Sequence, residues 1–401
     1  MRPYCDRITE EDDSMTSSTN LISPFTVDIP QHELDDLHAR LRDARFPSPL
    51  PGDGWDTGVP VSYLRTLVEA WRSFDWRAVE SRLAGIPQFT TEIDGQTIHF
   101  AHVVSPVATA VPLLLTHGWP GSFLEFVDLI GPLTDPAAHG GDPADAFHVV
   151  IPSLPGFGFS TPITGGGWTT SRIASAWVEL MDRLGYDLFA TQGGDIGAGV
   201  APEVARIAPE RVIGVHVNGA LGAFEADADE EALAAMSPIE QDRIRRVGDF
   251  MHNEFGYISI QSTRPGLIGV ALADSPVGQL AWIVDKLKAW SHPTEALPHD
   301  TLGLDFVLAN ASLYWFTASA GSAAYVGYAQ DEGWGTVAEN SGVPTAAIQF
   351  AHDIGIRASA EQSNTIVRWT DVNDRGGHFA AMEEPEALVT DIREFLRPLR
   401  D

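Results

Sequence analysis

The apolar positions fall into two alternating textures. From Pro24, the stretch IPQHELDDLHARLRDARFP carries Leu34, Leu37 and Leu41 at helical spacing and closes on Pro47, Pro49 and Pro51, which predicts an amphipathic helix and its stop. VSYLRTLVEAWRSF and DWRAVESRLAG predict two more helices. Beyond them, TIHFAHVV, VPLLLTHG, FHVVIPSL, LFATQGG and VIGVHVNG are short, nearly continuous apolar runs, the pattern of strands buried on both faces. Helical stretches such as TTSRIASAWVELMDRLGY and GAGVAPEVARIAP lie between them. Strand alternating with helix predicts a mainly parallel, doubly wound α/β sheet.

The alternation stops near residue 222. Residues 223–340 lack clear strands and contain helical runs such as VGQLAWIVDKLKAW and FVLANASLYWFTASAGSAAY. It resumes with PTAAIQF, TIVRWTDV and a last helix, PEALVTDIREFLRPL. A helical insertion splitting an α/β core predicts a lid. The boundaries that follow are a flexible polar leader at 1–22, an N-terminal helical segment at 23–96, core at 97–222, lid at 223–340 and core again at 341–401.

Composition narrows the class. The 401 residues are 44% hydrophobic and 20% charged, a globular balance. No stretch approaches the ~20 uninterrupted apolar residues of a bilayer span, and the leader has no apolar run of a secretory signal. The net charge of −30 repels phosphate backbones and anionic lipids, so neither nucleic acid nor membrane is an expected partner. The lone cysteine, Cys5, allows no internal disulfide or cysteine-rich metal site; a reducing, cytoplasmic location is expected.

Three loops carry the candidate chemistry. Gln192-Gly193-Gly194-Asp195-Ile196-Gly197 follows a strand and opens a helix, the Gly-x-nucleophile-x-Gly layout of a nucleophile elbow, with Asp195 in place of serine. A carboxylate attacking an sp3 carbon forms an alkyl ester that water can cleave; helix capping by Asp195 is the competing reading. Thr116-His117-Gly118-Trp119-Pro120-Gly121 follows an earlier strand, so the backbone N–H groups of Trp119 and Ile196 are the expected oxyanion donors, with His117 tying the loop. Arg375-Gly376-Gly377-His378-Phe379 lies between the last strand and helix, where a hydrolase of this layout places its base. Asp353, directly after the preceding strand, is the expected acid for His378. Asp371 and Asp374 belong to the histidine's own strand end and loop.

On these motifs the chain resembles the microsomal-type epoxide hydrolases of the α/β-hydrolase superfamily, including soluble bacterial members. HGWPGS, SLPGFGFS, QGGD, GYISIQ, DSPVG and RGGHFAAMEEP match in order from about Pro24 to Leu399, and DWR, PQFTTEIDG and IHF resemble that family's leading domain. The resemblance implies hydrolysis of an epoxide to a vicinal diol without cofactor or metal, with a small epoxide and water as partners; a homodimer is compatible with it. It also implies two lid tyrosines donating to the epoxide oxygen. Tyr257 matches the first. The second is expected five residues after Ser322, where Gly327 stands; Tyr328 is one residue late and Tyr325 two early. Tyr328 is the choice, because Ala-Gln follows it, although one residue turns a helical side chain by about 100°. Ile196 stands where many relatives carry tryptophan, which alters the pocket wall. Vertebrate members carry a membrane anchor that is not expected here.

Two rivals remain. A haloalkane dehalogenase shares the Asp, His and acid, but needs N–H donors for halide, where Ile196 offers no indole. A non-catalytic hydrophobic binding protein would not need nucleophile, base and acid together. Detoxification and tailoring of a secondary metabolite of the polyketide or enediyne type both fit the resemblance.

Overall fold

The computed structural model describes residues 21–52, 54–221, 236–330 and 338–400. Nearly all of the expected leader lies outside the described residues, as do 222–235 and 331–337 of the expected lid.

Among the described residues, nine strands form one sheet in the order β1-β2-β3-β5-β4-β6-β7-β8-β9. They are β1 (Ser23–Phe25), β2 (Gln88–Ile93), β3 (Gln96–Val103), β4 (Val111–Thr116), β5 (Phe147–Pro152), β6 (Phe189–Gly193), β7 (Val212–Asn218), β8 (Pro344–Gln349) and β9 (Thr365–Asp371). From β5 to β9 every pairing is parallel; β1, β2 and β3 add antiparallel pairings at one edge. This is the mainly parallel sheet of the α/β-hydrolase fold.

Parity decides what each strand buries. Leu114 of β4 and Val150 of β5 face a cluster containing Ile173, Trp177, Val200 and Val204. Leu113, Leu115, Val149 and Ile151 face the other, with Phe123, Phe126, Leu388 and Ile392. Helices Thr170–Arg183 and Ile196–Ile207 therefore cover one face, and helix Pro385–Leu396 the other.

Strands β1 and β2 are additions to the expected pattern. Asp94 and Gly95 both have positive φ, 51° and 72°, and make the two-residue Asp-Gly turn that closes a β2–β3 hairpin. The three N-terminal helices occur as expected, at Gln31–Arg42, Val61–Arg72 and Trp76–Leu83, with Leu34, Leu37 and Leu41 buried. They brace the helical insertion: the Trp71 indole N–H donates to Ser312 Oγ at 2.8 Å, and Arg40 Nη1 to the carbonyl of Asp274 at 2.9 Å.

Between β7 and β8 the described chain is helical, from Pro238–Asn253 to Ala320–Ala329. The run read as continuous, FVLANASLYWFTASAGSAAY, is two helices, Leu304–Phe316 and Ala320–Ala329. Ala318 breaks it with a φ of 49°, a left-handed conformation that no helix interior accommodates. Among the described residues no single helix is long and apolar enough to cross a membrane; helices Pro265–Asp274 and Pro276–Trp290 reach that length and composition only together, bent by 120°. The second of these buries Leu280, Ile283, Val284 and Leu287 in the protein core.

Candidate active site

Asp195 stands between β6 and helix Ile196–Ile207 with φ 54° and ψ −120°. A non-glycine residue held in this sparsely populated region stores strain, which a packed surround must enforce. The surround is backbone. A Cβ on Gly193 would lie 2.2 Å from the Gly197 carbonyl oxygen, and one on Gly197 would lie 2.0 Å from that of Thr116. Both flanking glycines are therefore required by close approach. The Asp195 side chain makes no capping bond to its own helix, so helix capping does not account for it.

Its carboxylate instead spans two groups. Oδ1 accepts the Trp119 N–H at 2.8 Å, and the neighbouring Ile196 N–H also favours the charged carboxylate. Oδ2 lies 3.2 Å from His378 Nε2. Burial pushes the Asp195 pKa up, but the bond and charge of His378 and the two N–H donors outweigh it, leaving the carboxylate below its ordinary value. For His378, burial acts downward, while Asp195, Asp353 and Glu125 act upward and prevail.

The histidine loop is pinned to the helical insertion. The His378 N–H donates to the Trp290 carbonyl at 3.0 Å, and the two rings lie 5.0 Å apart. Glu383 ties the two segments again, accepting the N–H groups of His292 and Phe379 at 2.8 and 3.0 Å. A Cβ on Gly377 would meet the Trp290 carbonyl oxygen at 2.6 Å, so this glycine permits the contact.

Asp353 is 5% exposed and accepts the Phe350 N–H at 2.7 Å. Burial raises it to about 6, opposed by that N–H and by the charges of His378, Arg243 and Arg246. Its action on the imidazole is therefore through charge. Asp371 is engaged elsewhere, 2.6 Å from the buried Arg243, and Asp374 lies 3.5 Å from Arg375.

His117 is buried. Its Nε2 accepts the Leu154 N–H at 3.2 Å and its Nδ1 lies 3.1 Å from the Gly118 carbonyl. Burial lowers it to about 4, so it is a neutral tie for the Trp119 loop.

Above the carboxylate, the Tyr257 ring stacks on Trp119 at 4.9 Å and 13° and lies 5.3 Å from Trp290. Burial and the charges of Asp195 and Glu254 hold its phenol well above the ordinary value, so it keeps its proton for donation. Tyr328 has no such link to Asp195. It is 48% exposed and its ring partner is Tyr325, at 5.6 Å. Gly327, at the expected spacing, packs against Gln261 of the Tyr257 helix, while the Tyr325 hydroxyl lies near Gly166.

The helical insertion adds four further contributors. Tyr314 donates to the Gly121 carbonyl and Asn310 Nδ2 to that of Pro120, each at 2.8 Å, so one lid helix fixes the oxyanion loop. Arg243 and Arg246, both on helix Pro238–Asn253, act on Asp353 by charge, and Arg246 Nη1 donates to the Ala351 carbonyl at 2.7 Å. None carries a local motif; each acts across a long sequence separation.

Comparison with known proteins follows the same outline. Residues 22–126 match a family model for the epoxide hydrolase N terminus, and 111–250 one for the alpha/beta hydrolase fold. The "Putative epoxide hydrolase" of Stigmatella aurantiaca is 43% identical over 383 residues, covering 94% of this chain and 86% of that protein. The chain belongs to the epoxide hydrolase family. Epoxide hydrolase 1 of Sus scrofa is 34% identical, covering 94% of this chain and 88% of its own length. Among solved structures, the Aspergillus niger epoxide hydrolase superimposes with a TM-score of 0.82 at 34% identity, covering 96% of this chain and 98% of that one. The juvenile hormone epoxide hydrolase of Bombyx mori gives 0.84 at 28% identity, covering 95% of each.

Proposed function

We propose that this epoxide hydrolase works through a covalent ester on Asp195. One observation carries the reading: a strained elbow presents a carboxylate whose oxygens span the Trp119 N–H and His378, with the Ile196 N–H beside it.

In the first step an Asp195 oxygen attacks a ring carbon. The C–O bond of the epoxide breaks, its electron pair stays on oxygen, and the Tyr257 hydroxyl supplies the proton. Esterification removes the charge that raised His378, so the imidazole becomes a better-matched base. In the second step it takes a proton from water, whose oxygen attacks the Asp195 carbonyl carbon. The oxyanion rests on the N–H groups of Trp119 and Ile196, and Asp353 stabilises the imidazolium. Collapse expels the product as a vicinal diol. Water and epoxide are the reactants required, with no cofactor.

Trp119, Tyr257 and Trp290 form an aromatic wall, which favours a small apolar or aryl epoxide. Tyr257 beside Asp195 also supports epoxide over haloalkane, because ring opening needs a proton donor. The single cysteine supports a cytoplasmic location, which cell fractionation would test.

The direct test is diol formation from styrene oxide. Asp195→Ala is expected to lower turnover by about 10^4-fold or more, as loss of a nucleophile does; turnover within tenfold of wild type would reject Asp195 as nucleophile.

A further inference from the structure

Glu125 has no part in the steps above, yet it lines the same small pocket as Asp195 and His378. It is the third residue of the 3-10 helix Phe123–Leu129, which follows the Trp119 loop. The Glu125 N–H donates to the Ser122 carbonyl at 3.1 Å, which ties the residue to the end of the Trp119 loop. A Cβ on Gly121 would lie 1.3 Å from Glu125 Oε1, so the carboxyl lies over backbone that only glycine leaves bare. The ionisable groups around it are Asp195 from the elbow, His378 from the loop after β9, Tyr314 from the lid helix Leu304–Phe316 and the neutral His117 from the loop after β4. The short helix Ala380–Glu383 brings only Ala380 and Ala381 to this pocket.

The geometry points to Glu125 as a second, switchable acid for His378: neutral while Asp195 is an anion, ionised once Asp195 is an ester, and then a counter-charge to the imidazolium during hydrolysis. This rests on the covalent route through Asp195. Two carboxylates in one buried site cannot both ionise cheaply, and only one of them is consumed by the first step. In the resting protein, burial, assisted by Asp195 and opposed by His378, holds Glu125 up at about 8. Esterification removes the Asp195 charge, the one neighbouring charge that opposes ionisation of Glu125.

Ring opening leaves Tyr257 as phenolate, a far stronger base than a carboxylate, and the Glu125 proton passes to it through water. Hydrolysis then starts from Glu125 carboxylate and neutral His378. His378 takes one proton of the attacking water; the Asp195–alkyl oxygen bond breaks, and the departing alkoxide takes that proton from the imidazolium. The second water proton, left on the regenerated Asp195 carboxylic acid, returns to Glu125. Two hydrogens reach the diol, matching the water consumed.

Glu125 thus acts through His378 as a positioning residue, and the test separates the half-reactions. Glu125→Gln keeps the shape of the neutral acid and removes only its ionisation. Excess enzyme is mixed with styrene oxide and quenched in time for intact-mass measurement of the alkyl-enzyme. Ester formation is expected to stay within about threefold of wild type, while ester decay slows ten- to a hundredfold and the ester accumulates. Glu125→Asp should recover part of the decay rate. Equal slowing of both phases, or no slowing of decay, overturns the inference. Should the glutamine variant not fold, Glu125→Asp decides: ester decay slower than wild type with ester formation within about threefold is the expected result, and equal slowing of both phases, or no slowing of decay, overturns the role. Absence of any ester in wild type would instead remove the covalent route itself, and this inference with it.

Discussion

On the sheet side of the pocket, Asp195, His378 and Trp119 are set by backbone: a positive φ, an N–H to a carbonyl, and glycines where no Cβ fits. On the lid side, Tyr257 is set by ring packing against Trp119 and Trp290, and Tyr328 sits 48% exposed. Backbone contacts tolerate almost no displacement, whereas stacked rings slide at little cost. The sheet side therefore supplies fixed groups for the ester chemistry, and the lid side supplies an adjustable donor suited to varied epoxides.

The largest effect should come from the fixed side. His378→Gln is expected to let Asp195 react but to slow ester cleavage by about 10^3-fold or more, with the alkyl-enzyme trapped in rapid-quench mass spectra. Normal decay of the ester would show that the imidazole is not the base.

On the adjustable side, Tyr257→Phe should lower ester formation by about 10^2–10^3-fold, the ordinary range for loss of a positioned proton donor, with decay little changed. Tyr328→Phe should alter either phase less than threefold. A large loss in the Tyr328 variant would mean that the lid rearranges to bring that hydroxyl to the substrate.

A smaller effect concerns stability. His216 Nε2 lies 3.0 Å from Asp391, which also accepts from Arg368 and Thr370 at 2.8 and 2.6 Å. Although burial raises Asp391, these partners hold it down at about 2. A depressed carboxyl contributes stability above its unfolded pKa and loses it as pH falls through the folded one. Asp391→Asn should thus cost about 2–3 kcal/mol near neutrality, read by urea unfolding, and the difference should shrink from pH 4 toward pH 2. An undiminished difference at pH 2 would assign the effect to packing.

The same contrast explains what the sequence discloses. Gly193 and Gly197 around Asp195, and Gly376 and Gly377 before His378, occupy fixed offsets because backbone geometry demands them, so the elbow and the histidine loop are legible as motifs. The place of Asp353 after β8 is legible, but its hydrogen bond is to the Phe350 N–H and its influence on His378 is through charge. The Asp94-Gly95 turn was equally readable, and with it the β2–β3 hairpin. Arg243, Arg246, Tyr314 and Asn310 act at separations of about a hundred residues or more, which no local spacing encodes. Glu125 reads as an ordinary helix-start carboxylate until Asp195 and His378 are seen across the same pocket. Tyr328 shows the limit from the other direction: on a helix the choice of residue 327 or 328 decides which neighbour is faced, and Gly327 is the position that faces the Tyr257 helix.

The covalent route is tested most directly by one turnover in 18O-enriched water with enzyme in excess. The diol should leave carrying an unlabelled oxygen from the Asp195 carboxylate, and the peptide containing Asp195 should gain the label. A first-turnover diol labelled wholly from solvent, with Asp195 unlabelled, would contradict the account.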